Sequence, residues 1–339
     1  MRRITLLMVI GTTVGLFAGG ALTAPWASAQ GRLPITIGYQ ETPDWLLFVA
    51  RDLKLFEKAG LAPTYVKFDA GPPMIAAAQN GSLDLASVGS VAFLMGLAQG
   101  LDWVMIGINP EAAYSQGLVA RKDSGIDTPA DLKGKRIGLF KGATAQYGLM
   151  MILRQHGIQP DQVTLVHLSP EGQVHALENK TIDAAMVWEP WMQRMIHGMN
   201  ARIVTTEGNL GIYTNVDVYT VRREWLRNNR EKALRFLRGL LMANDVVRKD
   251  PRIAVNVWAR EMGIKEAWAE AIYERVPPPL INDWTNPHYT YSLVKGAPLY
   301  RRLGFLATFL FNEKLIQQPV DTHDIMDASL IAEVLKTRK

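Results

Sequence analysis

A chain of 339 residues with 48% apolar and 20% charged side chains can bury the cores of two domains of ordinary size. It contains no cysteine, so disulfides are excluded and the hydrophobic cores must hold it together. The formal charge of +5 is scattered along the sequence and not gathered in blocks, which argues against nucleic acid as a partner; an anionic small molecule gains from it only through the general field.

The first residues read as an export leader. Arg2 and Arg3 precede an apolar run over 4–22, and Ala27-Ser28-Ala29 has the small-x-small form of a cleavage site. Cleavage is expected after Ala29, leaving a periplasmic protein that begins at Gln30 and carries a net charge of +3 once the two arginines are gone. An uncleaved membrane anchor is the alternative, and with no cysteine behind the run there is no site for a lipid.

From there strands and helices alternate over short connections. Strands are expected at 33–39, 64–68 and 83–88, with helices at 45–59, 74–80 and 91–99 between and after them. This is the pattern of an α/β fold with a parallel sheet covered on both faces. Further strands follow at 103–108 and 117–121, and the alternation then repeats: strand 136–140, helix 146–155, strand 162–167, helix 172–179, strand 184–188, helix 190–197, strand 203–205. One more strand at 217–222 precedes a mostly helical remainder over 231–248, 251–261 and 265–275, followed by a rigid bend at Val276-Pro277-Pro278-Pro279. The chain is thus expected to cross between two units near 118–122 and again near 217–222, leaving a cleft where strand ends and helix starts converge.

The stretch 134–157 carries the strongest local signal of chemistry. A short strand, a small-residue turn and a helix follow one another, so Gly142, Ala143 and Thr144 would let a small anion reach the unpaired N–H groups and the roughly half positive charge of the helix start. Thr144 has two readings here: a ligand-binding hydroxyl, or a cap of its own helix. Catalytic and cofactor signatures are missing. The six histidines, at 156, 167, 175, 197, 288 and 323, lack metal-ligand spacing, and there is no G-x-S-x-G elbow, Walker A sequence or G-x-G-x-x-G after a strand. No metal, cofactor or enzymatic step is therefore expected.

Six short motifs in order resemble the periplasmic solute-binding proteins of the nitrate, sulfonate and taurine uptake group. They are Gly38-Tyr39-Gln40, Asp69-Ala70-Gly71, Ser87-Val88-Gly89-Ser90, the run Asp131-Leu132-Lys133-Gly134-Lys135-Arg136-Ile137, Val187-Trp188-Glu189-Pro190 and Val216-Asp217-Val218. The first and the last two look closest to taurine-binding proteins. The resemblance implies the type II periplasmic binding fold: a monomer of two α/β lobes, 30–118 with 222–339 and 119–221, that closes over a small anionic or zwitterionic ligand. It also implies delivery to an ABC permease and its ATPase in the inner membrane.

By the same resemblance Gln40 and Ser90 would donate hydrogen bonds from the first lobe, and Thr144 and Gln146, beside Ala143, from the second. Trp188 would be a flat apolar wall, or else an ordinary core tryptophan. Asp217 would hold a ligand ammonium group, or else pair at the hinge with Arg222 or Arg223. Tyr39, Trp45 and Tyr147 would add aromatic surface near the cleft. Glu189 has no counterpart in the taurine-like pattern, and an exposed helix-start acid is its simpler account. The loop Lys141-Gly142-Ala143-Thr144-Ala145-Gln146-Tyr147 departs from taurine binders, which show more hydroxyls and a closing His. Nitrate, bicarbonate, alkanesulfonates, pyrimidine precursors and aromatic carboxylates stay open as ligands. The rival class is an enzyme on the same scaffold, such as a pyrimidine or quinone-precursor synthase, which the leader and the missing cysteine motif oppose.

Overall fold

Two five-stranded sheets, each wrapped in helices, make up the computed structural model, which describes residues 31–111, 113–213 and 215–338. The expected leader and its cleavage point lie outside these residues. The first sheet is built on β1 (Leu33–Tyr39), whose Ile35 and Ile37 face inward, and β3 (Leu85–Gly89), buried along its whole length as a central strand must be. β2 (Leu61–Lys67) pairs parallel to β1 on the outer side, and β4 (Trp103–Glu111) closes the opposite edge. Between them run α1 (Trp45–Asp52), α2 (Leu55–Lys58), α3 (Gly71–Gln79) and α4 (Ser90–Ala98). The single helix expected over 45–59 is broken: Lys54 takes a left-handed conformation (φ 54°), and the turn lets Phe56 stack on Phe236 with ring centroids 5.1 Å apart.

The second sheet repeats the plan with β5 (Gln116–Arg121), β6 (Arg136–Leu139), β7 (Thr164–His167), β8 (Ala184–Trp188) and β9 (Ala201–Thr206), and with α5 (Thr144–Gln155), α6 (Pro170–Glu178) and α7 (Trp191–Gly198). β10 (Val216–Arg222) then returns to the first sheet. The strand orders are β2-β1-β3-β10-β4 and β7-β6-β8-β5-β9. β10 lies antiparallel to β3 and β4, and β5 antiparallel to β8 and β9, so both sheets are mixed where a purely parallel sheet was expected. The reason is topological. Each reversed strand arrives directly from the other sheet, without the crossover helix that keeps neighbouring strands parallel.

Strand pairing also moves the expected borders. The chain changes sheets between Glu111 and Gln116 and again between Thr206 and Val216, so borders after 118 and 221 would cut through β5 and β10. The apolar strands themselves were legible, but the change of sheet precedes each of them. The remaining helices α8 (Arg223–Lys249, interrupted at Asn229), α9 (Pro251–Met262), α10 (Glu266–Arg275), α11 (Pro298–Asn312) and α12 (Ser329–Lys336) return to the first sheet, where α8 packs on α1, α2, β2 and β4.

Trp45 is part of that packing and not of a cleft. Its ring is fully buried between Trp258 (4.9 Å) and Tyr273 (5.1 Å), and its indole N–H donates to the carbonyl of Val276 at 2.7 Å, which fixes the start of the proline bend. Removing it leaves a large cavity and an unpaired carbonyl. Trp45→Ala is therefore expected to cost about 3–5 kcal/mol in denaturant unfolding; a loss below about 1 kcal/mol would show that the site collapses freely.

Candidate functional site

The parallel strands of both sheets end on one side, and there the chain forms a small pocket of about 20 Å³. Five of the sequence-predicted residues meet in it: Gln40 after β1, Ala143 and Thr144 at the start of α5, Trp188 at the end of β8, and Asp217 on β10. Thr42, Pro43, Gly71, Gly89, Ala92, Ser115 and Gln116 complete the wall. The two sheets touch here. A methyl group added at Gly89 would lie 2.8 Å from Thr144 Cγ2, so glycine is what allows so close an approach, although its φ of −66° is open to any residue. Outside this pocket lies a wider hollow of about 340 Å³ between Lys67, Asp69, Glu171 and Arg194, and Glu41 sits at its boundary, where its carbonyl accepts from Trp188 Nε1 at 3.2 Å.

Two helix starts aim at the pocket from opposite sheets. α4 begins at Ser90 behind Gly89, α5 begins at Thr144 behind Ala143, and neither first turn is capped by a side chain. Their leading N–H groups and the positive ends of their dipoles give an anion donors on two sides. A third helix, α3, starts at Gly71, but Pro72 and Pro73 remove two of its donors.

Asp217 has opposite chemistry. Among the described residues nothing donates to its carboxylate, and burial, helped by the charge of Asp44, pushes its pKa up to about 7. The hinge pairing is not formed: Arg223 goes to Asp102 at 3.0 Å and to Asp324 at 3.5 Å, and Arg222 Nε has no partner among the described residues. Asp44 caps α1 and accepts from Ser87 Oγ at 2.7 Å, from Leu47 N at 3.3 Å and from the Tyr219 hydroxyl; burial still holds it up at about 6 against those bonds.

The other sequence-predicted residues sit elsewhere. Ser90 is fully buried and accepts from Val216 N at 3.4 Å, stitching β10 to α4. Gln146 turns back to its own loop and accepts from Gly142 N at 2.7 Å. Tyr39 packs edge-on against Phe48 under the Arg51 guanidinium, and Tyr147 is buried against Phe309 of α11. Glu189 is not the exposed helix-start acid expected of it: it is fully buried, held by Gln193 Nε2 at 2.9 Å and by Arg275 at 3.1 Å. Arg275 lies 86 residues away, which no local pattern could reveal.

Sequence reasoning missed Gln116 and Gly89. Gln116 is fully buried, and its Oε1 accepts from the Thr144 hydroxyl at 2.8 Å. The available signal was a polar pair, Ser115-Gln116, at the start of a strand beside an expected crossover. Among the described residues no group of three His, Cys, Asp or Glu is placed to hold a metal ion.

Comparison with known proteins places this architecture. The NMT1/THI5-like family model matches residues 45–254. A putative aliphatic sulfonates-binding protein of Bacillus subtilis (strain 168) is 26% identical over 97% of this chain and 96% of its own length. The taurine-binding periplasmic protein of Escherichia coli (strain K12) is 25% identical over 75% of this chain and 77% of its own. The alkanesulfonate-binding protein SsuA from Xanthomonas axonopodis pv. citri, solved bound to MOPS, superposes with a TM-score of 0.76 at 24% identity, over 89% of this chain and all of that one. The fold is accordingly that of the SsuA-type periplasmic binding proteins, as the resemblance implied.

The raised pKa of Asp217 makes a prediction for the ligand-free protein. An acid whose folded value lies above its unfolded 3.8 destabilises the fold increasingly as pH climbs from about 4 to about 7, and by a constant amount beyond that. Asp217→Asn carries no charge to bury, so it should be more stable than the wild type at about pH 8, by at least about 1 kcal/mol, and equal to it near pH 4. Denaturant melts at both pH values check this, and equal stability at pH 8 would mean that the carboxylate is well solvated.

Proposed function

The chain belongs to the NMT1/THI5-like family, and on that premise we propose that it is the solute-binding component of an ABC importer, taking up taurine or a closely similar amino-sulfonate. The observation that carries this reading is the two-sided chemistry of the pocket: uncapped starts of α4 and α5 on opposite sheets, and an Asp217 carboxylate with no cation or donor beside it among the described residues. The helix starts suit a sulfonate, which accepts hydrogen bonds and carries charge. A primary ammonium group supplies the cation that Asp217 lacks. The names of the sulfonate- and taurine-binding relatives point the same way.

In this reading the two sheets with their helices are lobes, 32–111 with 216–338 and 116–206, joined by the two crossing segments. Gly89 and Thr144 stand so close across the pocket that even a methyl group between them would lie 2.8 Å from Thr144 Cγ2, so the arrangement is a closed one and a ligand enters only when the lobes part. Closure then returns Thr144 to Gly89 and brings both helix starts onto the same anion. Ligand binding therefore stabilises the closed form over the open one, which is what lets a permease distinguish a loaded protein from an empty one. Export to the periplasm, a permease and ATPase as partners, and the absence of any chemical step on the ligand belong to the same reading.

Calorimetry with a matched pair of ligands tests it. Taurine and ethanesulfonate both place a sulfonate at the helix starts, but only taurine has the amine. Asp217→Asn is expected to weaken taurine by about 2–5 kcal/mol, the scale of losing one partner of a buried charge pair. Ethanesulfonate should be unaffected or improved, because a negative charge near its own has gone. Equal losses for both ligands would remove the amine from the account, and no binding of either would remove the sulfonate.

A further inference from the structure

Glu207 stands just after β9, in the segment that returns to the first sheet; it is fully buried and does not line the pocket. One carboxylate oxygen accepts from Gln116 Nε2, and the other from Asn215 Nδ2 at 2.8 Å. Its backbone N–H donates to Gln116 O at 3.2 Å, so both crossing segments meet at this residue. The space it fills exists because α5 carries glycine at 148, where a Cβ would lie 1.7 Å from Glu207 Oε1.

Both carboxylate oxygens accept here from amide NH2 groups, and that arrangement sets which way the two amides point. Asn215 fits that arrangement: its Nδ2 donates to Glu207 at 2.8 Å and to the Thr144 carbonyl at 3.4 Å, while its Oδ1 is left without a partner among the described residues. Gln116 obeys the same rule. With Nε2 committed to Glu207, its Oε1 must face Thr144, and the Thr144 hydroxyl donates its only proton to it at 2.8 Å. What Thr144 has left to offer the pocket is lone pairs. They join those of Asp217: a point one bond out from Gly89 Cα lies 3.5 Å from Thr144 Oγ1 and 3.4 Å from Asp217 Oδ1.

We propose that Glu207 is a specificity-determining residue that never touches the ligand: acting through Gln116, it turns the Thr144 hydroxyl into an acceptor and so builds, with Asp217, a wall of acceptors for the ligand's ammonium group. The inference rests on the amino-sulfonate reading above and assigns the hydrogen-bond polarity of that site. In Glu207→Gln the new amide can donate as well as accept, so Gln116 is free to turn over. Its NH2 then faces Thr144, whose proton swings into the pocket against the ammonium group. Gln116→Met reaches the same end by another route, since it keeps the length of the side chain and removes the acceptor that holds the Thr144 proton.

The test is calorimetry of the wild type, Glu207→Gln and Gln116→Met with taurine and with ethanesulfonate, with circular dichroism and thermal melts to show that each variant is folded. The expected result is a wild-type preference for taurine that falls at least tenfold in either variant, chiefly through loss of taurine affinity. A merely structural role would weaken both ligands alike, so a preference retained by the folded variants overturns this inference alone. If Glu207→Gln does not fold, Gln116→Met decides in the same way. A wild type that prefers ethanesulfonate overturns the amino-sulfonate reading and this inference with it.

Discussion

A half-buried carboxylate with no cation beside it among the described residues is costly, and the pocket is arranged around one. Among the described residues nothing compensates an ionised Asp217: Asp44 repels it, Arg223 pairs with Asp102 and Asp324, and Arg222 makes no ion pair with it. Stability alone would replace it with a neutral side chain. In the proposed function the partner of that charge, at the meeting point of two uncapped helix starts, arrives from outside. Asp44 differs in kind. It is also buried and also raised, but three donors satisfy it and it caps α1, so its place is structural.

The topology delivers these groups to one spot. Because each sheet accepts one reversed strand from the other, both crossing segments lie on the side where the parallel strands end and the helices begin. Asp217 rides in on β10 and Gln116 on β5, the two exchanged strands, while Gly89 and Thr144 mark the helix starts that face them. The site therefore draws on both sheets and on both connections between them. Contacts farther out tie the two sheets' elements together: Trp188 Nε1 to the Glu41 carbonyl, Arg194 to Glu41 at 3.5 Å, and Arg275 to the buried Glu189.

Much of this was legible in the sequence, where periodicity and caps carry the information. β1, β3 and β8 follow from short apolar runs, the start of α5 from a glycine turn, and Gln40, Thr144, Trp188 and Asp217 from motifs at strand ends. What was not legible depends on partners far along the chain. The fate of Trp45 is set by Trp258, Tyr273 and Val276, and that of Glu189 by Arg275. The helix break at Lys54 interrupts a pattern that reads as continuous, because the gain lies in the contact of Phe56 with α8. Glu207 follows the end of β9 and Gln116 opens β5, where no period marks them, and the direction of an amide is fixed only by what surrounds it in three dimensions.

The central claim is that a ligand ammonium group ionises Asp217 by pairing with it. With burial and Asp44 raising its pKa to about 7, this carboxyl carries a proton in part of the molecules at neutral pH before the ligand arrives. Taurine binding measured calorimetrically near pH 7, in two buffers of different ionisation enthalpy, reads the protons exchanged. The account predicts net proton release with taurine and no release with ethanesulfonate. Taurine heats that are the same in both buffers would contradict it.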